Sequence, residues 1–583
     1  MDIFNVLSLI GGLCLFLFGM DIMGKALERR AGGKLRSLLG KMTTNKAAGI
    51  ATGLGVTAVI QSSSAATVMV VGFVNSGLMN LRQAINVIMG ANIGTTVTAW
   101  ILSLAGIDSK NIFIRMLKPS SFTPVLALFG IIFYMFCKDA KKKDTGTVLL
   151  GFATLMFGME SMSGAVSGLG NIPAFQNLFL LFENPVLGTL AGAVLTAVIQ
   201  SSSASVGILQ ALAATGQVNY GAAIPIIMGQ NIGTCVTAML SSIGANKNAK
   251  RAAFVHLSFN VIGTTVWLAV FCMVKMIFAP ALLYAPASLF GIAVFHSAFN
   301  VLCTLLMLPL SGLLEKLVCR LVPDAGTPEV QAELDERLFA TTSIALERCQ
   351  KTAADMAACS VNALKDSLTE LKEYSSELAV KIRSAEEETD HYEDILGTYL
   401  VKLSAREISE TDSNEAAKLL KIIGDFERIS DHAVNIVCSA EELKDKKLKL
   451  SKSAKAELKV LSAAVDEILD LALAAFLHDD VHSASYVEPL NQVISGLKEA
   501  MRTNHILRLQ KKKCGIEAGF VWSDLLTDLE RVSAHCSNIA GCVIDMAMGN
   551  LNLHQSFHEV KKDNAEYQSQ LNAFSGKYTL KQN

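Results

Sequence analysis

The nonapeptide TAVIQSSSA occurs twice in this chain, each time inside an otherwise apolar stretch. The copies span 57–65 and 196–204, an offset of 139 residues. A second pair of blocks keeps that offset, MGANIGTTVTA at 89–99 and MGQNIGTCVTA at 228–238. Lipid cannot satisfy four successive polar residues, so neither QSSS stretch is a plain spanning helix. Two such interruptions at one offset indicate a duplicated unit built around polar breaks.

Seven apolar runs are long enough to cross a hydrocarbon layer of about 30 Å. They lie near 3–23, 84–106, 121–137, 147–164, 221–241, 252–277 and 283–310. After about residue 320 the pattern becomes amphipathic and helical, rich in Glu, Lys and Leu. The sequence therefore predicts an all-α polytopic membrane protein followed by a soluble helical bundle. Its 51% hydrophobic content and twelve scattered Cys exclude a fully soluble enzyme, a disordered chain and a secreted disulfide scaffold.

The net charge of −1 conceals two unlike parts. Residues 1–320 carry 21 Lys and Arg against 9 Asp and Glu, whereas 321–583 carry 30 against 43. The loop 24–46 has seven basic residues and its counterpart 163–185 has none. Because basic loops stay in the cytoplasm, 24–46 is predicted inside and 163–185 outside.

Three crossings then separate the two units, provided that each QSSS stretch enters and returns on one side. Because this number is odd, the second unit has the opposite orientation in the membrane to the first. We therefore predict an outside N-terminus, seven crossings, two re-entrant helical hairpins and a cytoplasmic C-terminal domain. The basic loop 138–143 agrees with this topology, whereas 107–120, with Lys110, Arg115 and Lys118, disagrees.

Inverted repeats with broken helices are typical of secondary transporters. Half-helix N-termini bind anions, and hydroxyl or amide oxygens can bind a small cation. The repeated TAVIQSSSA and Asn-Ile-Gly-Thr blocks contain no ionisable Lys, Arg, His, Asp or Glu, so co-bound cations are expected to neutralise a bound anion. The alternative is that these small polar residues only pack helices closely. The candidate substrate and sodium ligands are Gln61, Ser62, Ser63, Ser64, Asn92, Thr95, Thr96, Gln200, Ser201, Ser202, Ser203, Asn231 and Thr234, with Thr98 and Thr237 adding hydroxyls beside expected Asn-Ile-Gly turns.

Paired QSSSA and G-x-N-I-G-T motifs over roughly 1–315 resemble the sodium-dependent phosphate cotransporter family, bacterial and animal type II. The resemblance implies sodium-coupled transport of inorganic phosphate across the plasma (inner) membrane by alternating access, with Na+ as coupling ion. It places phosphate and sodium ligands in Gln61–Ser64 and Gln200–Ser203. Because Thr96 stands opposite Cys235, the cation sites need not come in equal pairs. A phosphate exporter and a membrane-anchored phosphate sensor are the alternatives.

Two pairs of ionisable residues are further candidates in the apolar part. His256 and His296 each begin a His-x-x-Phe-Asn sequence. An ionisable group within a span is a functional hypothesis, and a hydrogen bond between helices is the alternative. Asp21 and Glu160 occupy equivalent positions near span ends, where exposure at the interface is favoured over cation binding.

The acidic part has its own repeat, DFERISDHAVNI at 425–436 and DLERVSAHCSNI at 528–539, an offset of 103. Carboxylates four residues apart on a helix can share a cation; the alternative is an ordinary solvated face. Over about 335–550 this pattern resembles PhoU-type domains, which implies two three-helix bundles and an E-x-x-x-D motif for a divalent or iron-type metal. The second bundle departs from the motif, with Ala534 after Glu530. The candidate metal ligands are Glu386, Asp390, Glu427 and Asp431.

The predicted organisation has four parts. They are a transmembrane domain at 1–320 (repeat 1 about 1–137, repeat 2 about 147–310), a linker at 321–334, the PhoU-like domain at 335–550 and a polar tail at 551–583. The expected partners are inorganic phosphate, sodium, the lipid bilayer and a second copy in a homodimer; nucleic acid is not expected. The chain shows no catalytic constellation, so a transporter is predicted rather than an enzyme.

Overall fold

The structure, a computed structural model, describes most of the chain as α-helix. The described residues are 3–40, 45–77, 79–107, 118–166, 182–323, 334–340, 342–406, 408–548 and 565–580, with side chains omitted at 31–40 and at 340. Their only extended pairing is an isolated bridge between Asn219 and Pro286. They form two compact units, Met1–Ala345 and Leu346–Asn583. The predicted all-α class is confirmed.

The first unit contains twelve α-helices within the described residues. They are α1 (Ile3–Gly40), α2 (Lys46–Ile60), α3 (Ser63–Asn75), α4 (Leu81–Ser103), α5 (Pro119–Phe136), α6 (Ala140–Val166), α7 (Pro185–Ile199), α8 (Ser202–Ala213), α9 (Tyr220–Ser241), α10 (Lys247–Phe278), α11 (Leu289–Met307) and α12 (Ser311–Leu321). Seven of them, α1, α4, α5, α6, α9, α10 and α11, are long and apolar enough to cross a membrane. This confirms the seven predicted runs. The four shorter apolar helices α2, α3, α7 and α8 flank the two QSSS breaks.

Glycines let the equivalent helices of the two repeats pack in the same way. A methyl group at Gly53 would overlap the Val87 carbonyl, so α2 lies directly against α4. The equivalent methyl at Gly192 would overlap the Ile226 carbonyl, so α7 lies against α9 in the same way. Because Gly53 and Gly192 are 139 residues apart, the duplication extends to the helix packing between the matched blocks.

Helices α1 and α6, which occupy equivalent positions in the two repeats, pack against each other. Gly19 of α1 abuts the backbone of Leu155, and Gly158 of α6 abuts the backbone of Phe16. Gly12 lies against the Gly158 carbonyl and Gly19 against that of Gly151. Residue numbers rise along one helix as they fall along the other, so the two equivalent helices run antiparallel.

The expectation of a loop from residue 24 is wrong, because α1 continues to Gly40. Residues 25–30, KALERR, favour helix strongly, and Lys25 pairs with Asp21 one turn earlier at 3.0 Å. The basic positions Lys41, Lys110 and Arg115 lie outside the described residues. Three longer ranges also lie outside the described residues. They are 167–181 in the expected outer loop, 324–333 in the expected linker, and 549–564, which includes the start of the expected tail.

A short 3-10 segment, Glu336–Ala340, packs on the first unit although the sequence analysis assigned it to the soluble domain. Leu338 is buried next to Gly72 of α3. Asp335 accepts a 2.6 Å hydrogen bond from Asn75, and Arg337 donates to the Ser241 carbonyl at the end of α9. These contacts join the segment to the ends of α3 and α9.

The second unit continues with seven helices in its described part. They are α13 (Thr342–Glu370, which starts in the first unit), α14 (Ser376–Ser404), α15 (Glu410–Asp445), α16 (Lys452–His478), α17 (Val481–Gln510), α18 (Ile516–Ala547) and α19 (Ala565–Lys577). Buried residues such as Ile382, Phe426 and Trp522 form its core. The polar tail thus contains a helix, α19, which packs on α17 through Tyr567, whose hydroxyl donates to Gln492 at 2.8 Å.

Glycine packing predicts a strong effect of a single methyl group. We expect Gly229→Ala to destabilise the protein by about 1–3 kcal/mol, the usual effect of overpacking, because the methyl would overlap the Thr189 carbonyl of α7. The matched control is Gly55→Ala on α2, where nothing lies within 4 Å of the new methyl. Thermal unfolding of the purified protein should show a lower midpoint for Gly229→Ala only. Equal midpoints for both variants would contradict this packing.

Candidate functional site

The two QSSS sequences break their helices with the same local geometry. Gln61 ends α2 and Gln200 ends α7, both in the left-handed conformation with φ of 59° and 58°. The next residue is extended and caps the following helix: Ser62 accepts from the Ala65 N–H and Ser201 from the Ala204 N–H, each at 3.2 Å. Each sequence therefore joins two short helices through a two-residue break.

The tips of the two broken helices meet. Ser63 begins α3, Ser202 begins α8, and their hydroxyl oxygens lie 3.4 Å apart. Both side chains are buried, and the two residues are equivalent in the repeat. Helix geometry leaves N–H groups of a first turn without intrahelical partners, so two positive helix ends converge on one buried point.

Thr98 of α4 connects both tips. Its hydroxyl donates to the Gln61 side-chain oxygen at 2.8 Å and accepts from the Ser203 hydroxyl at 3.3 Å. Thr98 is buried. The sequence predicts only an additional hydroxyl at this position, whereas the structure shows it between the two tips. A continuous chain of oxygen atoms therefore runs from one broken helix to the other.

This arrangement is asymmetric. Gln61 is buried, whereas the equivalent Gln200 is exposed. The hydroxyl oxygen of Thr237, the equivalent of Thr98, is buried and has no hydrogen-bond partner among the described residues. The first broken helix is therefore closed onto α4, while the second lacks the corresponding bond to α9.

The Asn-Ile-Gly-Thr sequences lie in the middle of α4 and α9, so the expectation of turns there is wrong. The Asn92 and Asn231 amides donate back to the carbonyls of Ile88 and Ile227 in their own helices. The glycine allows close packing: a methyl at Gly94 would lie 2.7 Å from the Leu54 carbonyl of α2. The helix can therefore continue through a sequence that, read alone, resembles a turn.

The remaining candidate ligands share this helical setting. Thr95 and Thr234 donate to carbonyls one turn back, and Thr96 donates to the Ile93 carbonyl. Their side chains are buried. Among the described residues none of them is hydrogen-bonded to Ser63 or Ser202, so the geometry brings together mainly the Gln, Ser and Thr98 groups.

Two glutamines outside the predicted set belong to this polar interior. Gln230 stands where the first copy has Ala91, and its amide donates to the Ser205 carbonyl at 3.0 Å. Gln210 of α8 donates to the carbonyls of Ala99 and Leu289. Both side-chain oxygens are buried without a partner among the described residues. Gln230 could have been found from the sequence, because it replaces Ala91 of the first copy. Gln210 lies outside the matched blocks, so the repeat does not indicate it.

The ionisable candidates of the first unit lie in two settings. His256 is buried and its Nε2 lies 3.3 Å from the Asn92 oxygen, which is a hydrogen bond between helices. His296 is equally buried. Asp21 is exposed and pairs with Lys25, and Glu160 is exposed; their position at a membrane interface stays a prediction.

Three of the four candidate metal ligands cluster in the second unit. Carboxylate oxygens of Glu386, Asp390 and Asp431 lie within 4.8 Å of one another. Burial, followed by repulsion from Asp431, raises the pKa of Glu427 to about 7. Burial and a neighbouring aspartate also raise the pKa of Glu386 and of Asp390. The repulsion shows that negative charge is crowded at this cluster. Carboxylate oxygens are also the ligands that hard cations use in proteins.

The chain belongs to the Na+/Pi-cotransporter family and carries a PhoU domain. The cotransporter family profile matches residues 15–164 and 172–304, and the PhoU domain profile matches 353–440 and 458–543. Together with the seven apolar helices, this makes the chain a multi-pass membrane protein of a phosphate transporter family. The predicted resemblance is confirmed.

Named relatives cover both parts of the chain. YjbB of Salmonella typhimurium, whose name describes an inorganic phosphate export protein, is 25% identical over 550 residues, covering 93% of this chain and 98% of YjbB. Sodium-dependent phosphate transport protein 2A of Rattus norvegicus is 38% identical over 110 residues, 18% of this chain and 17% of that protein. PhoU from Pseudomonas aeruginosa covers 35% of this chain and 98% of its own, with 21% identity and a TM-score of 0.34.

The acidic cluster predicts a pH-dependent stability. A raised pKa means that the folded state holds the proton more tightly than the unfolded state. The contribution of Glu427 is therefore full below its ordinary value of 4.5 and is lost as pH rises through about 7. In metal-free protein we expect the unfolding midpoint to fall between pH 5 and pH 8, and less steeply in Glu427→Gln.

The matched control for this titration is Glu530→Gln. Glu530 is the equivalent of Glu427 in the second bundle, but it pairs with Lys498 at 3.3 Å and has Ala534 in place of an aspartate. This variant should keep the wild-type pH dependence. If both variants flatten the curve equally, the titrating group is not Glu427.

Proposed function

We propose that the first unit transports inorganic phosphate by sodium-coupled alternating access, and that the PhoU domain regulates it from the cytoplasm. The observation that carries this proposal is the 3.4 Å contact between Ser63 and Ser202, where the N-termini of α3 and α8 meet. Two buried helix N-termini aimed at one point favour an anion. Membership of the family supports phosphate as that anion.

Charge arithmetic supports co-bound sodium. Each helix N-terminus supplies about half a positive charge, so two supply ~1. A phosphate group at neutral pH carries about −1.5 to −2. The matched blocks hold no basic side chain, so part of the negative charge is left for cations. The oxygen atoms of Gln61, Thr98 and Ser203 offer hard ligands of the kind that sodium uses.

The asymmetry between the halves fits one state of an alternating-access cycle. Gln61 is held by Thr98, whereas Gln200 is exposed and Thr237 is unpartnered among the described residues. In the opposite state we expect Gln200 and Thr237 to pair and the Gln61–Thr98 bond to open. The other candidate ligands, Asn92, Thr95, Thr96, Asn231 and Thr234, would then come within reach of the moving tips in turn.

The proposed topology is inverted, with both broken helices as re-entrant hairpins in the plasma membrane. The antiparallel packing of α1 on its equivalent α6 is what an inverted repeat requires. Basic residues such as Arg29 and Arg30 near the end of the first span support a cytoplasmic location for that end. The N-terminus is then outside and the PhoU domain inside, and a homodimer stays a prediction.

Net export is the second candidate, because the name of YjbB describes phosphate export and the similarity covers nearly all of that relative. An alternating-access carrier runs in either direction according to its gradients. In the regulatory domain we propose that Glu386, Asp390 and Asp431, with Glu427 beside them, hold a divalent or iron-type metal. Metal binding there would relieve the repulsion between these carboxylates.

Proteoliposomes test the transport proposal. Phosphate flux should require sodium, and Ser202→Ala or Ser63→Ala should reduce it at least tenfold because each removes a hydroxyl from the meeting point of the tips. Ser161→Ala, outside both repeated blocks, is the control and should retain flux. Radiolabelled phosphate measured with and without a sodium gradient gives the result. Phosphate binding without flux would instead favour a membrane-anchored sensor.

A further inference from the structure

Two histidine–aspartate pairs connect α15 and α18 across the second unit. The Nδ1 of His432 lies 2.9 Å from an Asp528 oxygen, and the Nδ1 of His535 lies 2.8 Å from an Asp425 oxygen. The pairs are reciprocal: each helix contributes one histidine and one aspartate. Because the offset between equivalent residues is 103, the duplication brings its two copies of one motif together.

Each aspartate is anchored by a second group. Asn435 donates to the same Asp528 oxygen at 3.4 Å, and Asn538 donates to the same Asp425 oxygen at 3.1 Å. The aspartates are 14% and 15% exposed, so they are largely shielded from bulk water. The two imidazole rings are therefore held in defined orientations rather than left free on a solvated surface.

These bonds determine which ring nitrogen is available. An ionised carboxylate only accepts hydrogen bonds, so the Nδ1 of each histidine carries the proton and Nε2 keeps its lone pair in the neutral ring. Within the described part of the chain neither His432 nor His535 uses Nε2 in a hydrogen bond, and neither Nε2 is sealed from solvent. Both atoms are thus open to a ligand.

We propose that His432 and His535 together bind one first-row divalent metal ion of the imidazole-preferring kind, such as Zn2+ or Cu2+. Their ring centroids lie 5.8 Å apart and the planes are inclined by 38°. With metal–nitrogen distances of about 2.0–2.1 Å, two imidazoles on one tetrahedral ion have centroids ~5 Å apart. The observed separation exceeds this value by less than 1 Å, so binding of one ion requires the two rings to move closer together.

The surroundings fit a metal site. Histidines that bind metals almost always donate their other N–H to a carboxylate or carbonyl, and both rings do so here. Asp425 and Asp528 add two negative charges beside the site, and Arg428 is turned to Asp431 at 3.1 Å. On α18, Arg531 is exposed to solvent. Water would complete the coordination.

This site is distinct in chemistry from the carboxylate cluster of Glu386, Asp390 and Asp431. Imidazole suits zinc and copper, whereas an all-carboxylate cluster suits hard ions. An ion between α15 and α18 would also bridge the two copies of the duplicated motif, so occupancy would stabilise the packing of these two helices. The proposal does not depend on the transport activity of the first unit.

The test uses full-length protein without a polyhistidine tag, purified in detergent and stripped of metal with EDTA. Equilibrium dialysis counts bound Zn2+, and electron paramagnetic resonance of added Cu2+ reads nitrogen ligands directly. We expect the Cu2+ spectrum to show nitrogen splitting from two imidazoles. We also expect the wild-type protein to bind one Zn2+ per chain at this site, and His432→Asn and His535→Asn to lose it. Absence of nitrogen splitting in the wild-type protein would overturn the proposal by itself.

The variants are chosen to preserve the fold. An asparagine amide nitrogen takes the place of Nδ1, so the bond to aspartate is kept while Nε2 is removed. The control is the double variant Glu386→Gln with Asp390→Asn. It should keep the nitrogen splitting, and it should still bind the Zn2+ ion that the histidine variants no longer bind. Asp425→Asn keeps both ligands and should weaken zinc binding about 10–100-fold. Unchanged zinc binding and copper spectra in folded His432→Asn and His535→Asn proteins would refute the site.

Discussion

The contact between Ser63 and Ser202 is the constraint on which the first unit depends. It brings two helix N-termini together in an apolar interior, where unsatisfied N–H groups are unfavourable. It also requires a left-handed glutamine before each tip, at about 1–2 kcal/mol per residue, and the structure keeps this conformation at Gln61 and Gln200. Such strain persists where surrounding packing imposes it and where function uses it. The proposed binding site for an anion and its counter-ions would account for both features.

Glycine packing supplies the support that this contact needs. Backbone meets backbone at Gly53 and Gly192, so each first half-helix is held against a long helix, and Gly19 and Gly158 bring α1 and α6 equally close. The helix packing of the two repeats is thus nearly symmetric, whereas their polar side-chain contacts differ. Thr98 bonds to Gln61 while Thr237 bonds to nothing described. A symmetric frame with asymmetric polar contacts is the arrangement expected of a carrier with two alternative states.

The second unit uses duplication in another way. Its two copies face each other through His432 with Asp528 and His535 with Asp425, so equivalent residues become partners. The carboxylate cluster around Asp431 has no such counterpart, because Ala534 replaces the aspartate. One copy keeps the acidic cluster, whereas both copies supply the histidine–aspartate pairs.

The sequence alone determined the all-α class, the seven apolar helices, the polar breaks and the family, because hydropathy and motif spacing are local properties. It did not reveal that the Asn92 and Asn231 motifs continue a helix, since close packing at Gly94 overrides their turn-like composition. Only the tertiary structure decided which of six serines meet, that Thr98 joins them, and that His432 faces Asp528. These contacts join residues about a hundred positions apart, and their formation depends on how whole helices pack rather than on any local pattern.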